Sequence, residues 1–486
     1  MKRFHGFHHL SSVSHHSLFL LTFHLLLLTF LFVLPAFSQQ TWTRTYGGTN
    51  NEIGCFVQQT SDGGYIISGF TRSFGAGNED VYLIKTNGSG DTLWTKTYGG
   101  TGYDRGYSVR QTLEGGYIIA GYTDSYGAGS FDVYLIKTNT SGDTLWTRTY
   151  GGTSWDYGFS TQQTRDSGYI IAGYTNSYGA GYNDVYLIKT KPSGDTLWTR
   201  TYGGPYWDFG FSVQQTTDGG YIIAGTFHFY GTTWYDVYLI KTNASGDTLW
   251  TKTYGGMRDE CAESVQQTSD GGYILVGYTD SYGAGSQDVY LLKTNNDGDI
   301  LWTRTYGGSG DDQGWSVQQT QDGGYIIAGY TDSYGAGNGD FYLIKTNASG
   351  DTLWTKTYGG SSSDAGWSVR QTVDGGYIIA GVTASFGTGG YDVYFVKTDA
   401  NGNVGTERGQ GFERPRVQVF KITPNPFISF ASVPGHEAER FSLYDVSGRK
   451  VGTYRGDRVG EGLSQGVYFV RHEGDGGSLA RVVKIR

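Results

Sequence analysis

Acidic residues return at two fixed positions of this chain, once in every 52 residues. Carboxylate oxygens are hard ligands, so a ring of them could bind Ca²⁺ or a cationic ligand. An acidic side chain can also accept hydrogen bonds from the N–H groups of its own loop and close that loop. Seven-fold repetition favours this structural role, because a catalytic or metal site rarely needs the same residue seven times. The first set, which carries the hypothesis of Ca²⁺ binding, is Glu52, Asp104, Asp156, Asp208, Glu260, Asp312 and Asp364, and the second set is Asp80, Asp132, Asp184, Asp236, Asp288, Asp340 and Asp392.

Aromatic residues break the repeated pattern in its third and fourth copies. They lie in the segments SWDYGF, PYWDFGF and TFHFYGTTWYD, between positions 154 and 236. Exposed rings gathered on one sector of a surface could stack on sugar rings or anchor a protein partner. The alternative is that these rings fill gaps between loops. The candidate ligand-binding residues are Trp155, Tyr206, Trp207, Phe229, Trp234 and Tyr235.

Few residues offer acid–base chemistry. His228 with Asp236 could exchange protons with a substrate, and Glu260 and Glu263 also break the symmetry of the copies. One histidine with one carboxylate is weak evidence for a catalytic pair. The sequence lacks GxSxG, HExxH and Walker motifs, and it lacks a His or Cys cluster with metal-ligand spacing. We therefore predict no catalytic residue and no cofactor, and an extracellular polysaccharide hydrolase or lyase stays as the alternative.

All of these residues belong to seven copies of one 52-residue pattern. In residues 107–152 the pattern contains four strand-like segments, YSVRQT, GYIIAGYT, DVYLIKT and TLWTRTY. They are rich in β-branched and aromatic residues and are separated by Gly, Asn, Asp and Ser. A period near 50 made of short strands is typical of a β-propeller blade. The tryptophans that mark the period are Trp42, Trp94, Trp146, Trp198, Trp250, Trp302 and Trp354.

The connections between these segments alternate between tight and long. LEGG and NTSGD are tight turns, whereas GGTGYDRG and TDSYGAGSFD are longer and rich in glycine. In an antiparallel blade, alternate connections lie at the same end of the strands. We therefore expect all tight turns on one face, and all long loops, with the acidic and aromatic candidates, on the other. We call this second face the long-loop face.

The last copy lacks a strand that the first copy has in excess. Residues 392–398 (DVYFVKT) are followed by DANGNVGTERG without a Trp strand, and TWTRTYGG at 41–48 has no pattern before it. The terminal copies also resemble the middle ones, which disfavours an open stack with polar caps and favours a ring. The sequence thus predicts an all-β fold, a seven-bladed β-propeller over residues 39–404 closed by the N-terminal strand.

One hairpin of the pattern has a counterpart in a known family. The segment DVYLIKTNASGDTLWTKTYGG resembles the outer hairpin of quinoprotein-type propeller repeats, which also carry a Gly-containing turn followed by Leu-Trp. The resemblance covers less than half of each copy and implies the propeller fold. No signature of a quinone site accompanies it, so we do not expect the cofactor.

Residues 1–38 have the features of a secretory signal peptide. A basic start at positions 2 and 3 precedes an apolar run from 18 to 34, and the small residues Ala36 and Ser38 fit a cleavage site. The alternative, a membrane anchor, is disfavoured because the run is short and no later segment is apolar enough to span a bilayer. We expect a mature chain that is secreted or on the outer cell surface, after cleavage near Ser38, without a transmembrane anchor.

Charge and cysteine content narrow the classes of partner. Residues 39–410 carry 37 acidic and 22 basic residues, a net charge of −15. Such a field repels polyanions, which argues against nucleic acid as a partner. Cys55 and Cys261 lie in different copies and indicate no disulfide framework.

The end of the chain has a different composition. Residues 405–416 (GTERGQGFERPR) indicate a linker, and strand-like runs in residues 417–486 predict a small C-terminal β-sandwich. These residues closely resemble the type A C-terminal sorting domain of type IX secretion. The resemblance implies that outer-membrane secretion machinery binds residues 417–486; the alternative is an accessory adhesion sandwich without a sorting role. The matching positions include Pro424, Asn425, Pro426, Tyr444, Gly448, Arg449, Gly466, Tyr468 and Lys484.

These features together predict a secreted or cell-surface binding module that recognises a glycan or a protein. A structural surface-layer or spacer protein is a further alternative to the hydrolase or lyase. The near-identity of the copies argues for it, because a refined site needs residues that differ between copies.

Overall fold

A computed structural model of the chain describes residues 40–229, 231, 234–405, 429–432, 438, 440–445, 449–472 and 479–484, with side chains up to residue 470. The chain divides into two compact units, one up to Gly405 and one from Thr406 onward. The described residues form strands and no helix, and so offer no apolar helix that could cross a membrane. The signal peptide predicted for residues 1–38 lies outside the described residues.

The described part of the first unit consists of seven four-stranded antiparallel sheets, numbered here in chain order. Strand β1 (Trp42–Tyr46) comes first. Sheet 1 contains β2 (Glu52–Gln59), β3 (Tyr65–Thr71), β4 (Asp80–Thr86) and β5 (Thr92–Tyr98). Sheet 2 contains β6 (Asp104–Gln111), β7 (Tyr117–Thr123), β8 (Asp132–Thr138) and β9 (Thr144–Tyr150). Sheet 3 contains β10 (Asp156–Gln163), β11 (Tyr169–Thr175), β12 (Asp184–Thr190) and β13 (Thr196–Tyr202).

Sheets 4 to 7 follow the same order. Sheet 4 contains β14 (Phe209–Gln215), β15 (Tyr221–His228), β16 (Tyr235–Thr242) and β17 (Thr248–Tyr254). Sheet 5 contains β18 (Glu260–Gln267), β19 (Tyr273–Thr279), β20 (Asp288–Thr294) and β21 (Ile300–Tyr306). Sheet 6 contains β22 (Asp312–Gln319), β23 (Tyr325–Thr331), β24 (Asp340–Thr346) and β25 (Thr352–Tyr358). Sheet 7 contains β26 (Asp364–Gln371), β27 (Tyr377–Thr383), β28 (Asp392–Thr398) and β1.

The two middle strands of each sheet are buried on both faces. In sheet 4, Ile222, Ala224 and Leu239 pack against Tyr273 and Leu275 of sheet 5. All five side chains are almost fully buried, which explains why these strands read as continuous apolar runs. The cores therefore lie between neighbouring sheets, and the prediction of an all-β chain built from repeated four-stranded sheets is confirmed.

The fourth strand of each sheet packs against the tight turn of the next sheet. In sheet 1, the ring of Trp94 lies against Gly142, where an added Cβ would come within 2.8 Å of the indole. The hydroxyl of Tyr98 donates to the carbonyl of the same glycine over 2.6 Å. Gly142 has a φ of +78°, so the position favours glycine for its backbone as well as for its lack of a side chain. The same glycine contact is made by Trp42 with Gly90, Trp146 with Gly194, Trp198 with Gly246, Trp250 with Gly298, Trp302 with Gly350 and Trp354 with Gly402.

Strand β1 completes sheet 7 although it lies at the other end of the unit. It pairs antiparallel with β28, from Trp42 opposite Lys397 to Tyr46 opposite Val393. Trp42 is only 3% exposed, and its ring centroid lies 5.0 Å from that of Phe395. The predicted pairing of TWTRTYGG with DVYFVKT is therefore observed.

Sheet 7 also contacts sheet 1. The backbone N–H of Val57 donates to Oγ of Ser368 over 3.3 Å, and that of Val373 donates to Oε1 of Gln59 over 3.0 Å. Equivalent hydrogen bonds join each sheet to its neighbour elsewhere, for example from Val317 to Ser264. The contact between the last and first sheets is thus of the same kind as the others.

The described part of the second unit is one four-stranded sheet in the order β30, β29, β31, β32. These strands are β29 (Arg440–Tyr444), β30 (Lys450–Arg455), β31 (Gly466–His472) and β32 (Leu479–Lys484). Phe441, Leu443 and Val470 are fully buried and form its core. Only one sheet is seen in the described residues of the second unit, so the predicted sandwich stays a prediction.

Candidate functional site

The seven carboxyl groups of the first acidic set are buried under the long loops. The N–H of Gly48 donates to Oε2 of Glu52 over 2.6 Å, and the N–H of Gly100 donates to Oδ2 of Asp104 over 2.8 Å. The other five copies repeat the contact. Each carboxylate thus accepts a bond from its own loop, the arrangement that the structural interpretation requires. The described residues contain no group of three or more His, Cys, Asp or Glu side chains placed to hold a metal ion, and Ca²⁺ binding by this set stays a hypothesis.

Six members of the second acidic set are seen to close the other long loop in the same way. Oδ2 of Asp80 accepts the N–H groups of Ala76 and Gly77 over 2.9 and 3.0 Å. Burial is the largest cause that raises the pKa of Asp236 to about 6, and the charge of Glu260 adds to it. The field at this end of the sheets is therefore strongly acidic.

Five side chains of sheets 3 and 4 form one cluster on the long-loop face, which we call the aromatic patch. It consists of Tyr182, Tyr206, Trp207, His228 and Tyr235. Tyr182 stacks on Trp207 with ring centroids 5.0 Å apart and planes at 23°. His228 packs 5.1 Å from Tyr206, 5.6 Å from Trp207 and 5.1 Å from Tyr235. Tyr182 is 57% exposed and Trp207 is 38% exposed, so two flat rings of the patch face solvent.

The structure brings together three of the six candidate ligand-binding residues, Tyr206, Trp207 and Tyr235. Trp155 is 53% exposed, and no described ring packs against it. Phe229 packs on Phe227, with centroids 4.8 Å apart, instead of joining the patch. Trp234 is exposed. The three remaining candidates are all exposed.

Sequence reasoning missed Tyr182, although a signal for it exists. Tyr182 occupies the position that Ser130 and Trp234 occupy in neighbouring copies. In the fold, this position lies beside the Trp207 position of the next sheet. Trp155, which corresponds to Trp207, has Ser130 at the corresponding place, and this explains why no stacked pair forms there.

His228 is a member of the patch and is nearly fully buried. Its backbone N–H donates to Oδ1 of Asp208 over 3.0 Å. Burial raises the pKa of Asp208 to about 6. Nδ1 of the His228 imidazole is buried and has no hydrogen-bond partner among the described residues. Strand pairing places Phe227 opposite Asp236 and His228 opposite Tyr235, so the imidazole lies beside an aromatic ring.

A cavity of about 1080 Å³ is lined by the first strands of all seven sheets. One position of the repeat contributes five aromatic side chains to its wall. They are Tyr107, Phe159, Phe211, Trp315 and Trp367. Glu263 replaces the aromatic residue in the fifth copy. Its Oε1 accepts a hydrogen bond from Sγ of Cys261 over 3.2 Å, and burial raises the pKa of its carboxyl group. Sequence reasoning did not find this cavity, because its walls come from seven separate segments.

Cys55, Cys261 and Glu260 are buried. Cys55 and Cys261 are free thiols, and burial raises the pKa of the Cys55 thiol to about 12. Oε2 of Glu260 accepts the N–H of Gly256 over 2.7 Å. Glu260 therefore belongs with its acidic set.

Four of the sorting-motif positions lie within the described residues with their side chains. Tyr468 is buried, and its hydroxyl donates to the carbonyl of Ser464 over 2.9 Å. Tyr444 ends β29, Gly466 begins β31, and Nε of Arg449 donates to Asp445 over 3.0 Å. Lys484 is described by its backbone at the end of β32. The remaining motif positions, Pro424, Asn425, Pro426 and Gly448, lie outside the described residues.

The repeated sheets match a known propeller family over part of their length. The model of a domain of unknown function (DUF5122) β-propeller matches residues 268–300 and 320–352, which include the second and third strands of sheets 5 and 6. The fold of the first unit is accordingly that of a repeat β-propeller. The match covers too little of the chain to assign it to that family.

Relatives and solved structures are similar to the chain at low identity. The regulatory protein FlaEY of Caulobacter vibrioides is 28% identical in an alignment of 192 residues. The match covers 33% of this chain and 20% of that protein. The chain thus spans about a fifth of that relative's length. A puromycin hydrolase structure shares 11% identity with a TM-score of 0.47, covering 88% of this chain and 60% of that one. The Pan2 WD40 domain of Neurospora crassa shares 9% identity with a TM-score of 0.42, covering 74% and 99%.

Proposed function

We propose that the chain is a secreted or cell-surface binding protein that recognises a glycan or a protein through the long-loop face of sheets 3 and 4. The observation that carries this proposal is the aromatic patch. Stacked, exposed rings supply large apolar area at low conformational cost, and they occur where a surface holds sugars or aromatic anchors of a partner. The patch lies in the third and fourth copies, whose long loops carry the aromatic departures from the repeated sequence.

We also propose that the seven sheets close into a seven-bladed ring. Three observations support it: the pairing of β1 with β28, the Val373–Gln59 hydrogen bond, and the cavity that all seven first strands line. A ring fixes the positions of sheets 3 and 4 relative to each other, so the rings of Tyr182 and Trp207 come from different sheets but keep one arrangement. Closure thus makes the patch a preformed surface.

Trp207→Ala tests the binding function, with Trp155→Ala as its matched control. Both tryptophans occupy the same repeat position and both are exposed, but only Trp207 carries a stacked partner. Glycan arrays and pull-downs from the surrounding medium should show binding by the wild type and by Trp155→Ala, and at least about tenfold weaker binding by Trp207→Ala. Equal binding by all three proteins would remove the patch from the function.

A hydrolase or lyase is the second candidate function, because Nδ1 of His228 is buried without a described partner beside a carboxyl group whose pKa is raised. The same polysaccharide panel decides it. Release of reducing ends or unsaturated products by the wild type, and not by His228→Ala, would establish catalysis. A protein that neither binds nor cleaves in any assay would be the spacer or surface-layer protein.

Export through a type IX-like system completes the proposal. It is supported by the resemblance of residues 417–486 to a sorting domain and by the four-stranded sheet that their described part forms. Fusing residues 417–486 to a reporter with a signal peptide, in a host with type IX machinery, should place the reporter outside the cell. A reporter that stays in the periplasm would show that the tail has another role.

A further inference from the structure

One position of the repeat faces the cavity with hydrogen-bond donors only. Five copies carry glutamine there, and the backbone N–H of the neighbouring sheet donates to each glutamine Oε1, as from Gln111 to Gln58 over 2.9 Å. The other four bonds run from Gln215 to Gln162, Gln267 to Gln214, Gln319 to Gln266 and Gln371 to Gln318. No described residue accepts a hydrogen bond from any of the five Nε2 groups. The acceptor oxygen is thus occupied and the donor is left for the cavity. We call this position the donor ring.

The two other members of the donor ring are arginines, Arg110 and Arg370. They come from copies 2 and 7, the neighbours of copy 1 on either side, and both line the cavity. Between them lies Phe56, which replaces the serine found in the other six copies. The guanidinium carbons lie 4.5 Å from the Phe56 ring centroid for Arg110 and 4.8 Å for Arg370. Three departures from the repeated sequence therefore meet at one point of the cavity wall.

No carboxylate of the described residues forms an ion pair with either arginine. Glu263 is the one acidic residue among the described residues that line the cavity, and its bond is to Cys261. Arg370 donates to the carbonyl of Val369 over 2.6 Å and to Oγ of Ser316 over 3.3 Å. Arg110 donates no hydrogen bond to a described residue, and its Nε is buried without a partner.

This arrangement is electrostatically unfavourable without a counter-charge. Burial lowers the pKa of Arg110, and burial followed by the charge of Arg110 lowers the pKa of Arg370. Guanidinium groups keep their proton in proteins, so the shifts report a cost to the folded state and not a neutral side chain. Glutamine, which five other copies use, would avoid that cost. Two partly buried like charges that lie against the same ring and face the cavity point to a bound group of opposite charge.

We propose that Arg110, Arg370 and the glutamine Nε2 groups of the donor ring form a binding site for a small ligand that carries a carboxylate or phosphate group. Guanidinium groups bind both oxyanions in the same forked geometry. The ring amides then donate to the remaining oxygens. The site lies in the cavity, apart from the aromatic patch, and does not depend on the function proposed for that patch.

The ligand reaches the site from the tight-turn face. The cavity wall ends there at Leu113, Arg165 and Val373, the first turn residues after the inner strands of copies 2, 3 and 7, and Leu113 and Val373 are more than four-fifths exposed. Copies 2 and 7 also carry the arginines of the donor ring. On the other side of the donor ring, Trp367 and Trp315 pack 5.1 Å apart and line the same cavity. The site therefore offers an apolar surface for the body of a ligand next to donors for its charge.

The test uses the full mature chain with inorganic phosphate, glucuronate and glucose as probes at constant ionic strength. Thermal unfolding and titration calorimetry should show binding of phosphate, glucuronate or both, and none of glucose. Binding of phosphate alone or of glucuronate alone supports the proposal and tells which oxyanion the site prefers. A wild type that binds neither anion overturns the proposal.

Arg110→Gln and Arg370→Gln supply the decisive variants, because each restores the residue that the repeat itself uses. Each should fold with an unchanged or higher melting temperature and bind the anion at least about tenfold more weakly. Arg200→Gln, an exposed position on β13, removes the same charge away from the cavity and should leave binding within about twofold of the wild type. If all three variants bind like the wild type, the anion lies elsewhere and the proposal fails. Quenching of tryptophan fluorescence in the wild type on addition of anion gives a second readout that needs no variant.

Discussion

At the scale of single residues, departures from the repeat are more informative than the repeat itself. The acidic sets recur seven times and each carboxylate accepts bonds from its own loop, as in Glu52 with Gly48. Trp207, Arg110 and Phe56 occur where most copies have another residue, and these residues face solvent or the cavity. Repetition marks what holds the fold, and its loss marks candidate sites.

Ser167 is a departure with a measurable cost. It is the one non-glycine residue with a positive φ, 64°, among the described residues, and the other six copies have glycine at this turn position. Its hydrogen bonds use backbone atoms only. Ser167→Gly should therefore raise the free energy of unfolding by about 1 kcal/mol, because an L-residue in the left-handed region loses that much.

Gly219→Ser is the reciprocal control for this prediction. Gly219 has a φ of +89° and no atom within 4 Å of an added Cβ, so the substitution changes the backbone preference alone. It should lower the free energy of unfolding by about the same 1 kcal/mol. Urea denaturation of both variants measures the two effects. A loss of stability in Ser167→Gly would show that the serine hydroxyl has an unrecognised role.

At the scale of elements, the strands follow from the sequence and the contacts between loops do not. Alternation, β-branched residues and turn glycines place segments such as GYIIAGYT correctly, and β7 spans Tyr117–Thr123. The same reasoning named Trp207 but not its partner Tyr182, because a loop contact depends on what the neighbouring sheet presents. It also grouped Trp155 with Trp207, although Trp155 has no ring beside it.

The cavity was missed for a related reason. Arg110 and Arg370 are 260 positions apart in sequence, and only the contact between the last and first sheets brings both of them against Phe56. A signal was present, since both replace glutamine at the same repeat position and Phe56 replaces serine two positions earlier in its own copy. Comparing copies position by position on a ring, with copy 7 next to copy 1, would have found it.

At the scale of the whole molecule, the proposed ring makes the stability of the first unit depend on joining its two ends. The fourth strand of every sheet lies on the next sheet's turn glycine, and in sheet 7 this strand is β1. Loss of that strand would expose the Phe395 side of sheet 7 and free Gly90 of sheet 1. A closed unit therefore has no dispensable strand, whereas an open one would have such a strand at its end.

Trp42→Ala tests closure by comparison with Trp250→Ala. Both residues occupy the same repeat position, but Trp42 lies on the strand from the far end of the unit and Trp250 lies on β17, which is continuous with its sheet. In a closed ring, Trp42→Ala should cost about 3 to 5 kcal/mol, as expected for a buried tryptophan. It should cost at least as much as Trp250→Ala, whose side chain is only half-buried.

Thermal unfolding of the two variants provides the measurement. A melting temperature for Trp42→Ala that stays close to that of the wild type, with a clear drop for Trp250→Ala, would mean that β1 is a peripheral strand. The ring model would then be wrong, while the aromatic patch of sheets 3 and 4 would be unaffected.

The pairing of β1 with β28 also sets an order of events in time. Thr388 and Gly48, which are 340 positions apart, are joined by a hydrogen bond at this seam. A strand made at the start of synthesis therefore waits for its partner until nearly the whole unit has been made. Contacts of such long range form slowly, because the entropy of closing the chain is lost before they stabilise it. In the proposed export, a chain that crosses a membrane in the direction of synthesis would travel with its last sheet unfinished, and that sheet would be completed after the crossing.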